Sequence, residues 1–153
     1  MARYLADEVA DALICLARTR QIDITNLKLQ KLLYYCQAWS LVFTGHALFA
    51  EQIEAWVHGP VVPCIFRRFK AFRWNTIDCD VAVPTSVALK AHLNAILDSY
   101  GNIPAPQLER LSHSEAPWQL ARNGLAPDVP SNAVITLESM KAFYTQLANA
   151  AAR

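Results

Sequence analysis

A chain of 153 residues fits one domain and is long enough to bury roughly 70% of its unfolded surface, which leaves little room for a second independent module. Its 14 Lys and Arg against 13 Asp and Glu leave a net charge of +1, so no global field draws it to nucleic acid or an anionic membrane. At 54% apolar residues, against a usual ~45–50%, it carries a dense core or an apolar surface that a partner covers.

Leu5, Val9, Ala12, Leu13 and Leu16 recur at three- and four-residue spacing and predict a first helix ending near Arg18 to Arg20, with Asp7, Glu8, Asp11 and Arg18 on its other face. Thr25 or Asn26 can cap a second helix that runs to Gly45. Its stretch "LQKLLYYCQAWSLVF", Leu29 to Phe43, has hardly any polar face. A helix of that kind is the central one of a bundle. Leu29, Leu32, Leu33, Cys36 and Phe43 are its expected core positions, while Lys28 and Lys31 share a polar strip expected to reach solvent, with Tyr35 and Trp39 at its edge.

After Gly45 the rhythm changes. Ile53, Ala55 and Val57 alternate with polar or aromatic neighbours and predict a short strand or half of a hairpin, after which Pro60 is expected to open a third helix. In "VVPCIFRRFKAFRW" that helix places Ile65, Phe66, Phe69 and Phe72 inward and Arg67, Arg68, Lys70 and Arg73 around the rest. A loop follows. Thr85 or Ser86 caps a fourth helix with Val87, Leu89, Leu93, Ile96 and Leu97 inside, closed by Gly101. Pro104 or Pro106 starts a short helix, Ser114 caps another that Gly124 stops, and Thr136 caps a last one whose Met140, Phe143, Tyr144 and Leu147 dock on the core.

Chemistry is sparse. His46, His58, His92 and His113 show no HxxxH or HExxH spacing, and four glycines make no phosphate loop, so no metal, cofactor or catalytic set is expected. Cys15, Cys36, Cys64 and Cys79 form no CxxC pair and read as reduced, mostly buried thiols of a cytosolic protein, although Cys64 with His58 or His113 remains the one conceivable thiolate pair. The N-terminus lacks the pattern of a signal peptide, and the apolar stretch, at about 15 residues against the ~20 a span needs, predicts no membrane crossing. The interleaved cations and aromatics of "FRRFKAFRW", Arg67 to Arg73 above all, suggest nucleic-acid binding or transcriptional regulation, but Phe66, Phe69 and Phe72 on one face are more simply core. Two turns, "EAWVHGPVVP" and "LSHSEAPW", are harder to explain as packing: His58 and His113 can bond turn backbone, and Trp56 and Trp118 can serve as rigid surface anchors.

The segments "LKLQKLLYYCQAWSL", "LFAEQIEAWVHGPVVP", the basic run after it, and "LSHSEAPWQLAR" stand in an order and at distances that resemble the Panacea domain family, which includes the SocA-like and GepA-like antitoxins. The resemblance spans roughly residues 4 to 147, with His58 and Cys36 as modest departures. It implies a mainly α, single-domain bundle over residues 1–153 with a small β element, and an antitoxin of the kind carried on prophages or other mobile elements. The implied partner is a protein toxin encoded by a neighbouring gene, either bound directly or delivered to a AAA+ protease. It implies no catalytic residues. The contact residues expected on the physical reading are Lys28, Lys31, Tyr35, Trp39, Trp56, His58, Arg67, Arg68, His113 and Trp118, and a near-neutral, apolar-rich chain makes a homodimer a further expectation.

Overall fold

The first helix begins where two carboxylates meet amides that have no helical partner. In the computed structural model, which describes residues 2–152, Glu8 Oε1 accepts from the Leu5 N–H at 3.0 Å and Glu51 Oε2 from the Ala6 N–H at 2.7 Å, opening α1 (Ala6–Thr19). α2 (Asn26–Thr44) is capped by Thr25, whose Oγ1 accepts from the Lys28 N–H, and closed by Gly45 in the left-handed conformation, φ 75°. It is buried along most of its length and packs against helices on several sides.

β1 (Glu54–Trp56) and β2 (Gly59–Val61) form an antiparallel hairpin with Glu54 opposite Val61 and Trp56 opposite Gly59. Pro60 therefore does not open the next helix. The positive φ of Gly59, 105°, folds the chain back along β1 and leaves Pro60 in the ladder, so Pro63 takes the first helical position of α3 (Pro63–Arg68). The basic helix is also shorter than its pattern suggests. Phe69 leaves helical geometry as its ring is buried, and a single 3-10 turn, Lys70–Phe72, follows; Ile65 and Phe69 are core, whereas Phe66 and Phe72 are only half-buried.

Residues 75–86 have no regular structure but are tied down: Ile77 N–H donates to Ile24 O at 2.9 Å, and the Arg18 guanidinium donates to Ile77 O and Cys79 O. α4 (Val87–Tyr100) is capped by Ser86, and Leu89, Leu93, Ile96 and Leu97 face inward. Val87, expected inside, is exposed because it belongs to the open first turn. α5 (Ala105–His113) and α6 (Ala116–Arg122) follow, with Glu115 rather than Ser114 at the cap position of α6 and Asn123 ending it one residue before Gly124. α7 (Leu137–Ala151), capped by Thr136, buries Met140 and Tyr144 and half-buries Phe143, while Leu147 stays largely outside as the helix runs past the core.

The architecture is mainly helical around one apolar helix, with a small hairpin, as the pattern predicts. α1, α4, α5 and α7 surround α2, with α3 and β2 also against it. A further strip of chain covers the outer side of β1: Ala55 N–H donates to Ala133 O and Ile135 N–H to Ile53 O, both at 2.8 Å. The cysteines are free, but only Cys36 is buried; Cys15 and Cys79 are half-buried and Cys64 is exposed, because the first turn of α3 carries it outward. Among the described residues no helix is long and apolar enough to cross a membrane.

Candidate functional site

The polar side chains of α2 turn out to be fasteners. Gln30 accepts from the Val62 N–H at 2.9 Å and donates to Asn26 Oδ1, fixing the exit from the hairpin. Two turns later Gln37 accepts from the Leu48 and Phe49 N–H groups and donates to Phe49 O, fixing the chain that leads into the hairpin. Lys31 lies between them. Fully buried, its Nζ donates to Pro60 O at 3.1 Å, its stem lies against Gly59, and burial lowers its ammonium to about 7, opposed by the charge of Glu109. Lys28 is buried as well, with its ammonium lowered chiefly by burial. The expectation of a solvated lysine strip is overturned at Lys31: the hairpin and α3 pack against that end of the helix, and the hairpin supplies the partners of Lys31 and Gln30.

Tyr35, expected at the accessible edge, is also inside. Its hydroxyl and that of Tyr144 both donate to Glu115 Oε1 at 2.8 Å, Tyr144 lies 3.0 Å from the Tyr34 hydroxyl, and Tyr35 stacks on Tyr100 with ring centres 4.0 Å apart. Burial raises all three buried phenols, and it raises the Glu115 carboxyl while the two tyrosine donors pull it back. Trp39 is half-buried, its indole N–H donating to the Tyr100 hydroxyl; Phe43, expected in the core, is exposed in the last turn of α2 and stacks on Trp39.

The two tryptophan turns meet. Trp118, nearly fully buried, donates its indole N–H to Trp56 O at 2.8 Å and stacks on His113 with centres 3.9 Å apart. Arg122 lies over the same indole and donates to Ala55 O, Ala126 O and Val129 O, tying the hairpin to the chain after α6. Neither Trp118 nor the half-buried His113 is a free anchor; burial lowers the His113 imidazole. His58 bonds a side chain and not turn backbone, its Nδ1 lying 3.0 Å from Glu109 Oε1. Accessible among the expected contacts are Trp39 and Trp56, both half-buried, the latter edge-on to Phe66, the exposed His58, and Arg67 and Arg68. Arg68 is already paired with Asp7 and Asp11 of α1, so Arg67 is the free cation of the two among the described residues.

A cleft of about 750 Å³ between the end of α2, residues 45–53 and the start of α7 contains none of the ten expected contact residues. Among the described residues, no group of His, Cys, Asp and Glu is placed to hold a metal ion. Sequence reasoning missed the buried Glu115 and Arg122: they stand at the two ends of α6, where a charge ordinarily meets solvent, and nothing local marks them as enclosed.

The family described as the SocA-like antitoxins with a Panacea domain matches residues 29–119, the span from the buried face of α2 to Gln119 on α6. The chain is similar to antitoxin SocA of Caulobacter vibrioides (strain NA1000 / CB15N), at 32% identity over 78% of this chain and 71% of that protein. No solved structure matches it.

Proposed function

The chain belongs to the SocA-like antitoxin family with its Panacea domain, and from that premise we propose that it neutralises a protein toxin encoded by a neighbouring gene, by binding it directly. The observation that carries the binding reading is the use to which the matched segment puts its polar residues. Gln30, Lys31, Tyr35, Gln37 and Glu115 are all consumed in joining the hairpin, α2 and the later helices. What such a segment delivers is a rigid scaffold, and the work on a partner falls to the surface it holds in place.

That surface is sufficient. An interface of standard size takes about 800 Å² from each partner, roughly a tenth of the 8164 Å² that this chain exposes. The hairpin carries Trp56 and His58 and α3 carries Phe66 and Arg67, with Trp56 edge-on to Phe66, and aromatic and arginine side chains supply most of the energy of such contacts. Handing the toxin to a AAA+ protease is the finer alternative, and it uses the same first step. A second copy of this chain is the other partner the apolar composition favours.

The test is growth of cells expressing the neighbouring gene with and without this chain. Restored growth together with co-purification of the two proteins supports direct neutralisation. Restored growth that disappears in a strain lacking the protease moves the reading to delivery. A neighbour that is harmless in several hosts overturns the antitoxin reading.

A further inference from the structure

Trp74 is 77% exposed, an unusual position for the largest side chain in the repertoire. It is held there. Phe69 before it and Ile77 after it are buried at 1% and 2% exposure, Thr76 pairs with Thr25, and the Ile77 N–H is bonded to Ile24 O at 2.9 Å. Between these anchors the Asn75 N–H donates to Phe72 O at 2.9 Å and closes a four-residue turn with Arg73 and Trp74 at its tip. Arg73 has φ 55° and ψ −120°, the backbone that glycine takes at the second position of a type II′ turn. An arginine there is strained, and strain of this kind gathers at ligand clamps.

The chain that leads to the tip is rich in cations. Arg67, Lys70 and Arg73 are exposed and take part in no ion pair among the described residues, whereas Arg68, between them in sequence, is committed to Asp7 and Asp11 and lies over the Phe69 ring. The run therefore divides its labour: one arginine fastens α3 to α1, and three cations with one tryptophan remain outside.

We propose that the Phe72–Asn75 turn, with the exposed Arg67 and Lys70 just before it in the chain, is the anchor by which this chain grips its toxin, and that the toxin offers an acidic surface with an apolar notch for the Trp74 indole. The proposal rests on the antitoxin reading and deepens it. A protein partner fits better than nucleic acid for three reasons. The net charge is only +1, so no overall field gathers a phosphate backbone onto this chain. Phe66, Phe69 and Phe72 are buried or half-buried, so no row of rings is available to stack successive bases. A single protruding indole flanked by cations instead matches a pocket rimmed by carboxylates, the arrangement in which one tryptophan dominates an interface.

The test uses the full chain and the purified product of the neighbouring gene. Trp74→Ala is expected to weaken binding roughly thirtyfold with an unchanged melting temperature. Arg73→Gly is expected to melt roughly 2–4 °C higher, because the strain is relieved, and yet to bind more weakly. Arg67→Glu with Lys70→Glu is expected to slow association at low salt and to lose most of that effect at high salt, while Lys141→Glu on α7 binds as the parent does. If the parent chain neutralises and Trp74→Ala and Arg73→Gly bind normally, the anchor is overturned and the antitoxin reading survives. If the parent chain neither binds nor neutralises that product, both fall together. If the parent chain binds a DNA or RNA oligonucleotide with steep salt dependence and Trp74→Ala abolishes it, the turn is a nucleic-acid contact and the protein assignment is overturned.

Discussion

Tyr35 donates its hydroxyl to the Glu115 carboxylate at 2.8 Å across 80 residues of chain, and Tyr144 meets the same oxygen from α7. One buried acid thus joins the central helix, the start of α6 and the last helix. Replacing Tyr35 by Phe keeps the stacking on Tyr100 and removes one of the two donors, leaving Glu115 half-served. The expected cost is about 1–3 kcal/mol of folding stability, a fall of roughly 2–10 °C in melting temperature, with toxin affinity unchanged at permissive temperature. Weaker binding by a variant of unaltered stability would place Tyr35 at the contact after all.

The buried Lys31 makes a pH prediction. Its folded pKa is lowered to about 7 against 10.5 for the free side chain. Below about 7 both states carry the proton, and the folded state bears the cost of a buried charge. Between about 7 and 10 the folded form has released a proton that the unfolded chain retains, so stability rises with pH by up to about 1.4 kcal/mol per unit. Thermal melts at pH 6.5 and 9 should show this rise in the parent chain and a flat response in Lys31→Met. Glu115 acts with the opposite sign in a lower window: its raised carboxyl makes stability fall as pH climbs from about 4.5 through its folded pKa, and Glu115→Gln removes that slope.

Gly59 is the tightest point between hairpin and helix. A Cβ there would stand 2.8 Å from Lys31 Cε and 3.0 Å from Ser112 Oγ, on a backbone with φ 105°. Gly59→Ala is expected to cost about 2–4 kcal/mol in urea unfolding, from backbone strain and overpacking together. Gly45 also has a positive φ, 75°, but nothing lies within 4 Å of its Cβ position, so Gly45→Ala should be the milder change. Equal costs for the two would remove the close approach of Lys31 as a cause.

Thiol labelling separates the cysteines. Cys36 is fully enclosed and burial raises its thiol, so it should resist alkylation until the chain unfolds. Exposed Cys64 should react in the native protein, though more slowly than a free thiol, since partial burial and the nearby Glu51 and Asp7 carboxylates raise its pKa. Mass spectrometry after brief treatment with iodoacetamide reads both. Native modification of Cys36 would show that α2 opens locally.

The helices were legible where apolar spacing and a cap coincide, as at Thr25, Ser86 and Thr136, because both signals are local. Burial of polar side chains was not. On a helical wheel Lys28 and Lys31 look like a solvent strip, and only the hairpin, brought in from residues 54–61, supplies the Pro60 carbonyl that lets an ammonium remain inside. The same long-range cause moved Tyr35 and Trp118 inward, since their partners Glu115 and Trp56 lie 80 and 62 residues away. Pro60 misled for another reason: Pro60 and Pro63 both suit a first helical turn, and the positive φ of Gly59 decides between them. The exposed pair Arg73 and Trp74 sat in plain view inside "FRRFKAFRW", but a helical reading of that run gave the tryptophan no reason to project.

The strip from Ala133 to Ile135 that bonds to the outer side of β1 has a bearing on solubility. A two-stranded hairpin has two open margins, and each unpaired margin is a template on which a neighbouring molecule can add a strand. Here one margin is occupied by the chain's own return path, held down by Arg122 through the carbonyls of Ala126 and Val129. A nick in the exposed 123–130 segment would release that cover without touching a helix, so proteolytic ageing of this protein should end in self-association through strand pairing and not in gradual loss of helix.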